Sequence, residues 1–275
     1  MSTQTIHRAY NDVVASYYDL DPQGVIGRSL GYAVEQLRKE GLFEATNESL
    51  YVLDIGMGTG LFLAKLKEIA GDKVVPFGVD LAENMVANAR KRMPDLTAVT
   101  GDAAQLDQYF PGQQFDCICT HFITGYVSMQ VLAPKIASRL KPGGSWSLVG
   151  GTKGAYPAMQ AKGGSQILRW LSGVGSRKVD DTVLNPADLQ EVVDTMAAHG
   201  FDVRFGETFK PALAFSNFDE FMTFGYRGGW LTPLIESLGL HKAGVIKRWL
   251  LNRLVFPVAD SHNIVIALGR KHESS

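Results

Sequence analysis

The run Tyr51-Val-Leu-Asp-Ile-Gly-Met-Gly-Thr-Gly60, with Leu61 after it, constrains this chain more than any other stretch. Tyr51 to Ile55 is short, apolar and β-branched with one acid near its end, the pattern of a buried parallel strand. Gly56, Gly58 and Gly60 then form a turn whose backbone, without Cβ atoms, can lie flush against a ligand. From Leu61 to Ala70 apolar residues recur at helical spacing (Leu61, Leu63-Ala64, Leu66, Ile69), so the loop opens a helix. The start of that helix offers unpaired N–H groups and a partial positive charge to a carboxylate or phosphate. Strand, glycine loop and helix together are the first unit of a nucleotide-binding α/β fold.

On either side of this unit the chain alternates regularly. Residues 6–19 read as a helix with Tyr10, Val13, Val14, Tyr17 and Tyr18 on one side, and Asp21-Pro22-Gln-Gly24 breaks it. Leu30 to Glu40 reads as a second helix closed by Gly41, and both helices are expected over the ligand edge of the sheet. Lys73 to Asp80 is a second strand ending in an acid, about twenty residues past the loop, where a carboxylate reaches a ribose diol. Asp80 can equally cap the helix expected over Glu83 to Met93. Leu96 to Thr100 is a third strand, followed by Gly101-Asp102-Ala103. There the acid could accept from an adenine amino group while Ala103 leaves room for a ring, or Asp102 could cap a helix. Phe115 to Thr120 is the fourth strand, Met129 to Leu140 a helix, Lys141 to Gly144 a turn and Ser145 to Gly151 the fifth strand. Pro186 to His199 reads as a helix, Phe201 to Phe209 as a sixth strand and Asn263 to Arg270 as the last. The βα alternation predicts parallel strands joined by right-handed crossovers.

Two segments interrupt this rhythm: glycine-rich 152–184 and aromatic-rich 212–258. The expected organisation is one unit over 1–275. It has N-terminal helices in 1–45, a cofactor-binding core in 50–151, substrate lids in 152–184 and 212–258, and 186–209 with 261–271 completing the sheet. A net charge of −1, from 27 basic and 28 acidic residues, gives no overall field to recruit nucleic acid. Cys117 and Cys119 share one strand face about 6–7 Å apart, too far for an unstrained bridge, so a reducing cytoplasm is expected. Ligands so spaced along a strand, His121 included, do not converge on one ion at ~2.0–2.3 Å, and no metal is expected. The N-terminal residues lack a signal-peptide core, and no apolar run suits an integral membrane segment. His241 to Val255 reads as an amphipathic helix with Lys242, Lys247, Arg248 and Arg253. That is either a solvated face or one suited to an anionic or lipid-like acceptor or peripheral membrane contact.

Leu61 stands where the dinucleotide fingerprint would want a small residue, which argues for S-adenosylmethionine over a nicotinamide or flavin. Val52-Leu-Asp-Ile-Gly-Met-Gly-Thr-Gly60, Gly78-Val-Asp80, Gly101-Asp102-Ala103, Phe115-Asp116 and Leu140-Lys-Pro-Gly-Gly144, in this order and spacing, resemble the class I S-adenosylmethionine-dependent methyltransferases. Pro186 to Phe209 also looks like this family. The resemblance implies a Rossmann-like α/β fold with a seven-stranded sheet, order 3-2-1-4-5-7-6, the last strand antiparallel. It implies S-adenosylmethionine as methyl donor and S-adenosylhomocysteine as product. It also implies, through the quinone, sterol and natural-product branch, a small, largely apolar acceptor. Carried over by position, Asp54, Gly56 and Gly58 would hold the methionine end, and Asp80 with Leu81 the ribose. Asp102 and Ala103 would hold the adenine, Thr120 and His121 would border the cofactor, and Tyr18-Asp19 would close over it. Met57 could lie beneath the ribose or fill the sheet edge. Thr120-His121-Phe122 departs from the Asn-Pro-Pro-Tyr of amino-group methylases acting on DNA or protein glutamine.

Methyl transfer from a sulfonium depends mainly on positioning the acceptor atom, with a general base when that atom bears a proton. His121, after the fourth strand, is the first candidate base, with Tyr126 and His241 behind it. Alternatively His121 is a packed residue supporting the cofactor loop. Two other activities fit less of the pattern: a methyltransferase-fold binding protein without transfer activity, and a nicotinamide-dependent oxidoreductase. A monomer or homodimer is expected.

Overall fold

A computed structural model describes residues 3–44, 49–163 and 184–273. Most of the first expected lid, residues 164–183, therefore lies outside the described residues.

The main sheet contains β1 (Leu50–Ile55), β2 (Val74–Asp80), β3 (Thr97–Thr100), β4 (Phe115–His121), β5 (Leu140–Gly151), β6 (Phe201–Phe209) and β9 (Ile264–Lys271). A separate ribbon pairs β7 (Ala212–Phe215) with β8 (Val258–Ser261). The sheet order is β3-β2-β1-β4-β5-β9-β6, parallel from β3 through β5, with β9 antiparallel to both β5 and β6. This is the expected 3-2-1-4-5-7-6 arrangement, β9 being the seventh strand of the sheet.

The strands alternate between two cores. Val52 joins the core under α2 (Val25–Lys39), α3 (Leu61–Ala70) and α4 (Glu83–Arg92), whereas Leu53 and Ile55 join that under α5 (Met129–Arg139) and α7 (Leu189–Ala198), the short α6 (Pro157–Gly163) coming between these two in the chain. A side chain as fully buried as Leu53 contributes about 1.5–3 kcal/mol of transfer free energy, so each strand is held from both faces. Asp116 ties three strands together. It accepts the Tyr51 amide of β1 at 2.8 Å and pairs with Lys141 of β5 at 2.8 Å.

The glycine loop has the shape its composition demands. Gly56 (φ +74°) lies under Ile123, whose Cδ1 would be 2.7 Å from an added Cβ. Gly60 (φ +73°) begins α3 so close to α4 that a Cβ would meet Met93 at 2.8 Å and Ala89 at 3.1 Å.

Several boundaries differ from expectation, for local reasons. The first helix, α1 (Thr3–Asp12), stops short of residue 19, and single 3-10 turns follow at Val14–Ser16 and Tyr18–Leu20. The β-branched Val13-Val14 pair weakens it, and Asp19 is drawn to the glycine loop. The second helix starts at Val25 rather than Leu30, because the Asp21 carboxylate accepts the amides of Ile26 (3.1 Å) and Gly27 (2.8 Å). Lys141 to Gly144 is not a free turn but the irregular start of β5, which pairs from Leu140. Within 212–258, α8 (Phe218–Met222), α9 (Thr232–Ser237) and α10 (Val245–Leu254) follow β7. There Phe215, Phe218, Phe221 and Phe224 are buried together.

Candidate active site

The carboxyl ends of β1 and β2 place two acids beside the glycine loop. Asp54 is 2% exposed, and its Oδ1 has no hydrogen-bond partner. Burial, and then the nearby Asp80 charge, push its carboxyl up to about 8. Asp80 accepts the Gly58 amide at 2.8 Å on Oδ2 and the Ala82 amide at 2.9 Å on Oδ1. Burial raises Asp80 too, and those amides offset part of the rise. Asp80 thus steadies the loop and the start of α4 together. No side chain caps α3, so its first amides remain for another partner.

The N-terminal segment closes over this edge. The Tyr18 ring rests against Gly58, 3.6 Å from the position of an added Cβ. Asp19 accepts from the Thr59 hydroxyl at 2.6 Å and from Arg92 at 2.6 Å, and Arg92 also donates to the Thr59 carbonyl at 2.5 Å. At the end of β3, the Gly101 amide bonds the Asp80 carbonyl at 2.8 Å, Asp102 caps Ala104 at 2.8 Å and Ala103 is buried. Leu81, half-buried, follows Asp80 directly. Met57 packs its sulfur where a Cβ on Gly78 would stand, 2.0 Å away, so it fills the sheet edge.

Beyond β4 the structure separates the expected residues. The Thr120 hydroxyl accepts from Trp146 at 2.8 Å inside the core, so its side chain does not border the glycine loop. His121 is 6% exposed, with Nε2 3.0 Å from the Ser147 hydroxyl and its ring edge-on to Phe62 at 4.2 Å. Burial lowers its pKa to about 3, and Nδ1 has no partner. This is the packed arrangement, against Phe62 of α3, rather than a ring presented to an acceptor. His241 stacks on Tyr226 at 5.6 Å beside a hollow of about 330 Å³ lined by Arg8, Asp12, Glu236 and Lys242.

Tyr126, by contrast, meets residues from two distant segments. Its hydroxyl lies 2.6 Å from that of Tyr10, and both approach the Gly229 carbonyl, at 3.4 and 3.3 Å. Burial raises both phenols, so they stay protonated. Nearby, His262 Nδ1 lies 3.0 Å from the Tyr156 hydroxyl, and burial lowers this ring to about 3, which keeps it neutral. Trp230 sits edge-on to both His262 (4.8 Å) and Phe122 (4.8 Å) and stacks on Phe224 at 5.6 Å. Phe122 (φ +59°) and Tyr156 (φ +56°) both hold left-handed backbone, a conformation that costs side-chain-bearing residues free energy and clusters at functional sites. The sequence reading missed His262 and Tyr156. The available signal was topological: the last strand runs antiparallel, so the residue preceding it returns to the ligand edge.

Residues 52–144 match the family model described as a methyltransferase domain. The chain is 33% identical over 136 residues to a dTDP-3-amino-3,4,6-trideoxy-alpha-D-glucopyranose N,N-dimethyltransferase of Streptomyces venezuelae, covering 47% of this chain and 54% of that protein. It is 26% identical over 149 residues to a ribosomal protein L11 methyltransferase of Burkholderia vietnamiensis, covering 50% and 47%. The chain thus spans about half the length of these relatives. The crystal structure of YcgJ from Bacillus subtilis shares the fold, with a TM-score of 0.58 and 20% identity over 90% of this chain and 100% of that one.

Proposed function

We propose that the chain, whose residues 52–144 form a class I S-adenosylmethionine-dependent methyltransferase domain with S-adenosylmethionine as its cofactor, transfers a methyl group to a small, largely apolar molecule. The observation that carries this is the orphaned Asp54 oxygen at the loop. A buried carboxyl with an unpaired oxygen and, among the described residues, no ion pair ionises readily only beside a positive partner. The α-ammonium of a methionine moiety is such a partner.

The other residues fit the same molecule. Asp80 retains acceptor capacity for ribose hydroxyls beyond the two amides it already accepts, and Asp102 with buried Ala103 lies at the adjacent strand end for the base. Tyr18, clamped through Asp19, closes the loop from solvent. When bound, S-adenosylmethionine supplies an electrophilic methyl on sulfur. The chain's residues must orient the acceptor, exclude water and receive a proton.

Phe122, Trp230 and Phe224 supply an apolar wall, while Tyr10 and Tyr126 offer hydroxyls to fix orientation. His262, bonded to Tyr156, is the residue we favour in place of His121 for fixing the acceptor; burial lowers its ring to about 3, so it acts as a neutral hydrogen-bonding group rather than a strong base. The 212–258 segment and α1 roof this side, which suits a small acceptor over a protein. The nucleotide-sugar methyltransferase relative supports a small acceptor but a polar one, while the ribosomal protein L11 methyltransferase relative names a protein. The test is tryptophan-quench titration with S-adenosylhomocysteine and with NADH. Saturable quenching by the first alone is expected, whereas binding of NADH instead would reverse the assignment.

A further inference from the structure

The helix α10 (Val245–Leu254) turns its apolar residues outward. Val245 is 84% exposed, Ile246 77% and Trp249 59%, while Leu251 alone is deeply buried. Leu251 joins the core, and two polar contacts complete the attachment: Arg248 pairs with Asp219, and Asn252 accepts the Phe218 amide at 2.7 Å. Lys242 and Arg253 are exposed and Lys247 half-buried, and none of the three pairs with an acid among the described residues. Residues 237–259 contain no Asp or Glu, in a chain whose total charge is −1.

We infer that α10 docks this protein on an anionic lipid surface, with Val245, Ile246 and Trp249 entering the headgroup boundary and Lys242 and Arg253 meeting lipid phosphates. Ten residues span about 15 Å, half a bilayer core, so the helix lies in the interface rather than crossing it. Tryptophan among aliphatic residues and flanking cations is the composition that such a boundary favours. A two-fold contact with a second copy would bring the same uncompensated cations face to face, which charge complementarity disfavours. α8, to which α10 is bonded, leads directly into the segment carrying Trp230. Docking would therefore turn the roof toward the phase in which apolar molecules dissolve. That last clause alone rests on the methyl-transfer reading.

Co-sedimentation of the full chain with vesicles tests this without cofactor, acceptor or turnover. The protein should pellet with phosphatidylcholine vesicles containing phosphatidylglycerol, release as salt rises, and stay in solution with phosphatidylcholine alone. Ile246→Glu with Trp249→Glu should weaken binding at least tenfold. Lys242→Ala and Arg253→Ala should each weaken it about fivefold. These side chains are not deeply buried, so circular dichroism should match the wild type. Equal pelleting with and without anionic lipid, or unchanged binding by the charge variants, would overturn the inference. A concentration-dependent dimer abolished by the Ile246→Glu, Trp249→Glu pair would also overturn it, assigning the face to a second copy.

Discussion

Titrating the protein with S-adenosylhomocysteine at pH 7 should release a proton, and Asp54 is the group that loses it. With its carboxyl pushed up to about 8, Asp54 is roughly 0.9 protonated at pH 7 in the free protein. Pairing with an α-ammonium requires the carboxylate. The ligand's α-ammonium, beside a free carboxylate, ionises above the ~7.7–8.0 of a peptide α-amino group, so it arrives protonated and takes up almost no proton at pH 7. Net release is therefore about 0.9 proton per site. Affinity should rise about tenfold from pH 6 to pH 7 and level off above pH 8 as Asp54 becomes ionised. Isothermal titration calorimetry in buffers of different ionisation enthalpy reads the proton count directly. Asp54→Asn should abolish the release and weaken binding by ~1.5–3 kcal/mol, the worth of a hydrogen bond to a charged group. Because Asp80 is also raised, that variant is what assigns the proton. Wild-type binding that releases no proton at pH 7, or Asp54→Asn releasing as many, would refute the pairing. The same residue sets a stability trend. The unfolded chain ionises Asp54 near 3.9 and the folded one near 8, so the unfolded state binds fewer protons between them. Stability of the ligand-free protein should fall as pH rises through that window.

Asp80→Ala should weaken S-adenosylhomocysteine binding by at least ~1–3 kcal/mol, because it strands the Gly58 and Ala82 amides and removes the ribose acceptor, as calorimetry would show. His262→Gln should raise the acceptor KM and lower turnover with cofactor affinity little changed, because it removes the ring bonded to Tyr156 beside the acceptor. His121→Ala should instead cost ~1–3 kcal/mol in denaturant-measured stability, because Phe62 and Ser147 lose their packing partner. Gly56→Ala combines a left-handed backbone with the Ile123 contact. It should cost ~1–3 kcal/mol of stability and displace the loop, visible as lost S-adenosylhomocysteine binding.

The strand–loop–helix unit was legible almost to the residue because its signals are local. Glycine at Gly56 and Gly60 reports positive φ, and α3 begins and ends where its periodicity does, at Leu61 and Ala70. The order of the strands came from the resemblance, since no local pattern states which strand is central. What stayed hidden was set by tertiary contact. Thr120 looked like an edge residue, yet strand alternation turns it into the Trp146 core. Phe122 gives no hint of its left-handed backbone, which accompanies a 2.6 Å bond from its amide to the Val149 carbonyl. The four-residue strands β7 and β8 lie more than forty residues apart and are too short to show periodicity. His262 was visible only as a residue before a strand, and its partner Tyr156 lies 106 positions away.

The most direct measurement follows the methyl group itself. The protein would be incubated with S-adenosylmethionine carrying a labelled methyl and with organic-extractable metabolites and nucleotide sugars as separate acceptor pools. S-Adenosylhomocysteine should form in step with label entering one small molecule in the organic-extractable pool, and His262→Gln should suppress both together. S-Adenosylmethionine bound with wild-type affinity but never converted would contradict methyl transfer, and label recovered in macromolecules alone would contradict a small acceptor.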